Sequence, residues 1–259
     1  MLTYLFQRLD RFLFGRPKFS LFTTIYFNFR VLPFRQAIKL PIYLYGKWCF
    51  KTLCGTVQIQ SDKICRGMLK MGNDFASYFV ASISNITLHK GSTFVIHKGA
   101  KIGQGVQITL YPDSKFELMP NSSIGDNVTI ICSNYIKIGE RTDITWNCQL
   151  MDTNSHYVEN LGNGIVRNIN GKIVIGKYCW ICNNTHIMAN TILPNYVIAT
   201  SNSILNKNYI NNGVEEYSMI GGAPAKLIKN QVRRLYDSNK ESELHAYFRD
   251  HPEEQIFKI

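Results

Sequence analysis

The 259-residue sequence lacks any apolar run approaching the roughly 18 to 20 residues that a helix needs to cross a bilayer, so no spanning helix is expected. The opening MLTYLFQRLDRFLF is apolar, but Arg8, Asp10 and Arg11 break it and no small-residue cleavage site follows. No secretion is expected from such a segment, and the expected site of action is the cytoplasm. Seven cysteines (Cys49, Cys54, Cys65, Cys132, Cys148, Cys179 and Cys182) are an odd number at uneven spacing, which argues against a disulfide framework. The Cys179-Trp-Ile-Cys182 pair has no second pair to complete a metal site, so it reads as packing or turn chemistry, and no metal is expected. Acid is scarce at the start of the chain: Arg8, Arg11, Arg16, Lys18, Arg30, Arg35, Lys39, Lys47 and Lys51 face only Asp10 in the first 51 residues. No nucleic-acid-binding motif accompanies this charge, and nucleic acid is not an expected partner.

What is present falls into three stretches. Residues 1–53 interleave the cations with Phe, Tyr, Leu and Ile, and Pro33 and Pro41 divide them into short pieces. Such segments either cap a neighbouring domain with their apolar faces or lie in a membrane interface as a peripheral contact, and the two are compatible. Residues 54–222 change to short β-branched runs punctuated by Gly, Asn, Asp and Ser. Residues 223–259 hold a turn and then a charged pattern that predicts a short helical tail from about Gln231.

The middle stretch has a period of six. Apolar residues recur as Leu88 and Phe94, as Ile96, Ile102 and Ile108, as Leu118, Ile124 and Ile130, and as Ile138, Ile144 and Leu150. The longest series runs Ile175, Ile181, Ile187, Leu193, Ala199, Leu205. Six matches neither the 3.6 of a helix nor a long alternation of two; it suits a short strand and a bend, three of which make one triangular coil. Each recurrent residue then points inward onto its equivalent in the next coil, and the glycines of Ile102-Gly103, Ile124-Gly125, Ile138-Gly139 and Ile175-Gly176 are expected to ease the corners. Leu150 and Ile175 are 25 residues apart, about 19 more than the six expected, so residues 151–172 should leave the prism as a polar, Asn/Gly-rich loop. Long loops on rigid scaffolds commonly carry chemistry.

With its in-register hexapeptides, the run IGKYCWICNNTHIMANTILPNYVIATSNSILNKN and the terminal GGAPAKLIK, the chain resembles the hexapeptide-repeat acyltransferases over residues 86–229. Their polysaccharide O-acetyltransferase members are the nearest in pattern. The resemblance implies a mainly β fold, a left-handed parallel β-helix with N-terminal amphipathic segments and a short C-terminal helical tail. That hand runs against the usual right-handed crossover and comes from the resemblance alone. The resemblance also places a catalytic histidine in an Asp/Asn-rich loop, matched here by Asp152-Thr-Asn154-Ser-His156. An imidazole can take the proton of a sugar hydroxyl at neutral pH, which makes His156 the expected general base. Asp152 and Asn154 are expected to orient it or to bind the acceptor.

For the acyl donor, acetyl-CoA, the resemblance points to Trp180, Ala199, Thr200, Ser201 and the Pro224-Ala-Lys226 turn, with Lys207 and Lys226 toward the phosphates. Cys182, Asn190, Pro194, Thr200 and Asn202 stand where relatives often have glycine, which puts the local turns in doubt. The expected function is O-acetylation of a saccharide or lipid-linked glycan in surface polysaccharide biosynthesis, by a homotrimer. The alternatives are N-acylation of an amino-sugar nucleotide, for which residues 1–53 are too short to form the extra domain, and a non-catalytic β-helix scaffold.

Overall fold

A computed structural model describes residues 17–73 and 82–259. The expected contributions of Arg8, Asp10, Arg11 and Arg16 lie outside the described residues. Short strands wind into a left-handed parallel β-helix of three faces. The first face stacks Ile102, Ile124, Ile144, Ile181, Ala199 and Ile220 in register. The second stacks Ile86, Ile108, Ile130, Leu150, Ile187 and Leu205. The third stacks Phe94, Phe116, Ile136 and Ile173. All of these side chains are buried, and the core is a set of columns running along the prism axis.

The prism begins earlier than residue 54. Ile42–Leu44 pairs in parallel with Leu69–Met71 on the first face, and Trp48–Leu53 pairs with Ser84–Leu88 on the second. Ile42 and Leu44 alternate inward like any later coil, and the six-residue count misses them because the first coils are irregular.

Helix α1 (Leu21–Val31) closes the open end, and the preference of a pre-proline residue for extended backbone stops it before Pro33. Its inner stripe is Thr24, Phe27, Asn28 and Val31 at helical spacing, all buried. The Asn28 amide donates to the Ile42 carbonyl at 2.7 Å and its Oδ1 accepts the Ile42 N–H at 3.1 Å, while the Thr24 hydroxyl accepts the Leu44 N–H at 3.0 Å. Two buried polar side chains thus serve the edge strand that would otherwise be an open template for pairing.

The corners work differently from the expectation. Gly103, Gly125, Gly139 and Gly176 do not adopt positive φ. They are small because coils meet there: a Cβ on Gly139 would lie 2.2 Å from the Gly176 carbonyl oxygen. Among the non-glycine residues at left-handed positions asparagine is the commonest, at Asn121, Asn127, Asn147, Asn184, Asn190 and Asn202. Cys182, Pro194 and Thr200 do not take positive φ, so those departures from glycine leave the turns unstrained. Tyr178, Tyr196 and Tyr217 do adopt it, and their rings stack 5.0 and 4.5 Å apart along one corner, with Arg141 over the first.

At the other end Met219–Gly222 turns back antiparallel on Ala225–Lys229 through the cis Ala223-Pro224 bond. The tail does not become helical at Gln231. Val232 donates its N–H to Tyr217, Arg234 pairs with Asp143, and the Tyr236 hydroxyl donates to the Cys179 carbonyl at 3.2 Å. These contacts hold the strap extended across the first face. Asp237 then caps helix α2 (Ser238–Asp250), accepting the N–H groups of Asn239 and Lys240.

Candidate active site on the inserted arm

The insertion leaves where the second face meets the third, between Met151 and Lys172. It is a zipped arm rather than an open loop. Gly171 donates to the Asp152 carbonyl at 2.7 Å, Asn154 to the Ile169 carbonyl at 3.0 Å, and Glu159–Asn160 pairs antiparallel with Ile165–Val166.

Asp152 and His156 have separated roles. Asp152 is fully buried, and its carboxylate accepts the N–H groups of Ser133, Asn134 and Tyr135 at 2.6, 2.9 and 2.8 Å. It clamps the corner of the preceding coil to the arm's root and does not face solvent, which corrects its expected place in acceptor binding. Ser155, at positive φ, swings the next residue outward. His156 is exposed, its backbone N–H held by the Asn154 carbonyl at 2.7 Å, and among the described residues its ring makes no hydrogen bond within the chain.

His156 borders a cleft of about 400 Å³ whose polar lining is Asn154, Asn160, Asn163, Arg167 and Asn168, with Val158, Ile165 and Ile169 as its apolar part. The side-chain oxygens of Asn160, Asn163 and Asn168 accept the N–H groups of Gly162, Ile165 and Asn170 in Asx turns. Each of these amides keeps its NH₂ group and one oxygen lone pair for a ligand. Arg167 makes no ion pair among the described residues, and neither Asp152 nor Glu159 lines the cleft. The polar part of the lining carries one guanidinium and no carboxylate, which suits an oxygen-rich, anionic ligand. The sequence reading missed Arg167; its signal was that it is the sole Lys or Arg between Asp152 and Gly171.

The residues expected to hold acetyl-CoA do not gather around His156. Trp180 is half-buried on the first face, under the Arg234 guanidinium at 5.3 Å. Arg234 also lies over Tyr236 and pairs with Asp143, beside a cleft of about 320 Å³ that includes Ser123, Thr145 and Trp146. Thr200 and exposed Ser201 sit at the corner between the first and second faces, the latter donating to Asn183 at 2.7 Å. Pro224 and Lys226 are exposed on the terminal hairpin. Lys207 stands at the arm's own corner, its ammonium 5.4 Å over Tyr209. Ala199 is a correction: it is fully buried, one of the inward stack, so its side chain does not face solvent.

The Cys179 and Cys182 pair carries no reactive signature. Burial pushes the Cys179 thiol up to about 12 and the Cys182 thiol up to about 11, away from the thiolate. Cys179 donates to the Pro194 carbonyl at 3.2 Å. Among the described residues no three His, Cys, Asp or Glu side chains converge as a metal site would require. His186 is paired with Gln149 at 3.0 Å.

No family model and no curated protein matches the sequence. Solved structures do match. The crystal structure of the polySia-specific acetyltransferase NeuO aligns with a TM-score of 0.55 at 17% identity, over 79% of this chain and 87% of that one. The polysialic acid O-acetyltransferase OatWY aligns with a TM-score of 0.55 at 21% identity, over 77% of this chain and 99% of that one. The chain has the fold of these hexapeptide-repeat acetyltransferases. At such identity the likeness fixes the architecture, and the chemistry has to be argued from the arm.

Proposed function

We propose that the protein is an acetyl-CoA-dependent O-acetyltransferase acting on a saccharide, with His156 as general base. The observation that carries this reading is an exposed imidazole with no ring hydrogen bond among the described residues, held at a defined point on a zipped arm and facing a cleft that contains a guanidinium and no carboxylate. A sugar hydroxyl is a weak nucleophile; a neutral imidazole takes its proton as the oxygen attacks the thioester carbonyl, and the thiol of coenzyme A leaves with a proton. Asn154 and Arg167 bind and orient the acceptor. Asp152 acts through the backbone, by holding the arm's root.

A cleft of that charge favours an acidic saccharide, and the polysialic acid specificity in the names of both structural neighbours agrees with that choice. Such an acceptor belongs to surface polysaccharide, and an enzyme using acetyl-CoA works where that donor is made, in the cytoplasm. Trp180, Thr200, Ser201, Pro224 and Lys226 lie on a different part of the prism from His156, while Lys207 shares its corner. A homotrimer reconciles this placement, with the arm of one subunit beside the first face of the next and acetyl-CoA between them.

The test is thiol release from acetyl-CoA with a sialic acid polymer, its carboxyl-reduced form, neutral glycans and amino-sugar nucleotides, the products checked by mass for one added acetyl group. Turnover of the acidic polymer, with the reduced form at least tenfold poorer, supports the reading. Thiol release only with amino-sugar nucleotides would move it to N-acylation, and none with any acceptor would leave the scaffold reading.

A further inference from the structure

Helix α1 is apolar on two sides. Its inner stripe packs on the prism, but Phe22, Ile25, Tyr26 and Phe29 form a second stripe at the same helical spacing that faces outward. Phe22 is 86% exposed and Phe34, which meets Phe29 edge-on at 6.0 Å, is 71% exposed. Ile38, in the turn after the short helical segment Phe34–Ala37, extends the same exposed apolar surface. Monomeric soluble proteins rarely expose apolar surface so densely without using it.

The charge around this surface has one sign. Lys18, Arg30, Arg35, Lys39, Lys47 and Lys51 are all exposed, and no Asp or Glu occurs between Asp10 and Asp62. A face made only for a second copy of this chain would bring these cations against their equivalents. Exposed rings flanked by cations, with no acid among them, complement an anionic lipid surface: the rings enter the headgroup boundary while the long cationic side chains reach the phosphates.

We infer that this end of the prism docks peripherally on an anionic lipid bilayer through Phe22, Tyr26, Phe29 and Phe34, with Arg30, Arg35 and Lys39 on the headgroups. Docking here puts the membrane against the closed end and leaves the arm, which emerges several coils away, free of it. The inference does not depend on the proposed acetyl transfer.

Flotation of the full chain with vesicles tests it, using phosphatidylcholine alone and phosphatidylcholine mixed with phosphatidylglycerol. The intact protein is expected to float with the anionic vesicles, and less so as salt rises. Each cation removed should weaken binding about fivefold, so Arg30→Gln, Arg35→Gln and Lys39→Gln together should cost roughly a hundredfold. Phe22→Ser with Phe34→Ser should release the protein from the anionic vesicles while leaving its circular dichroism melt unchanged, since neither ring is buried. Absence of binding to anionic vesicles by the intact protein would overturn the inference. So would equal binding of the intact protein and the ring variant, or an oligomer that dissociates in the ring variant without any vesicle binding, which would show the face to be covered by a second copy.

Discussion

The prism and the arm are made of the same short β pieces, yet they use their polar residues in opposite ways. At the prism's end and at the arm's root buried polar side chains are committed: Asn28 and Thr24 serve the edge strand, and the Asp152 carboxylate accepts three backbone N–H groups. On the arm the Asx turns commit only half of each asparagine, and Arg167 and His156 make no ion pair or ring hydrogen bond within the described chain. Three residues separate Asp152 from His156, and within that distance the chain passes from holding itself together to being free for a ligand.

Substitutions at those two positions should break the comparison most visibly, and in opposite readouts. His156→Ala should lower acetyl transfer by roughly 10²- to 10⁴-fold, the range of general-base catalysis, and leave the melting temperature within about 2 °C because the side chain is exposed. Asp152→Ala should destabilise the fold by about 3 kcal/mol or more, since it strands three N–H groups at a buried corner. Denaturant titration would read that loss. Asp152→Asn, which still accepts but without charge, should recover part of it.

Glycines sharpen the contrast at smaller scale. Gly139→Ala places a methyl against the Gly176 carbonyl and should cost about 1–3 kcal/mol by overpacking. Gly164, at the arm's turn with φ +67° and nothing within 4 Å of an added Cβ, should lose only about 1 kcal/mol on replacement by Ala, from backbone strain alone. Thermal melts of the two variants would rank them. The smallest effect concerns the buried thiols. Folding raises the Cys179 thiol from 9.0 to about 12, so the native state holds that proton more tightly than the unfolded chain does. Its contribution is complete below pH 9.0 and is lost as the pH rises toward about 12, so stability should fall across that window, and Cys179→Ala should flatten the fall.

The columns of the core were legible because a six-residue repeat leaves one apolar residue per strand, and the arm was legible as the break in that count. Two site assignments failed against signals already in the sequence. Ala199 belongs to the recurrent series itself and so had to point inward. Asp152 stands two residues after Leu150, the same side of a strand, and is inward by the same alternation. The extended strap at Arg234 and Tyr236 was not legible, because its partners Asp143 and Cys179 lie far back in the chain and a charged, mixed segment reads equally well as helix. Arg167 was missed for another reason: a single cation carries no period, and only the fold of the arm brings it beside His156.

The division of labour between Asp152 and His156 is tested most directly by acetyl transfer to an acidic glycan at saturating acetyl-CoA, comparing the intact protein with His156→Ala at equal folded concentration. The account expects the variant to keep its melt and acceptor binding and to lose at least a hundredfold in kcat. A variant that transfers acetyl groups at the rate of the intact protein would contradict it and place the base elsewhere.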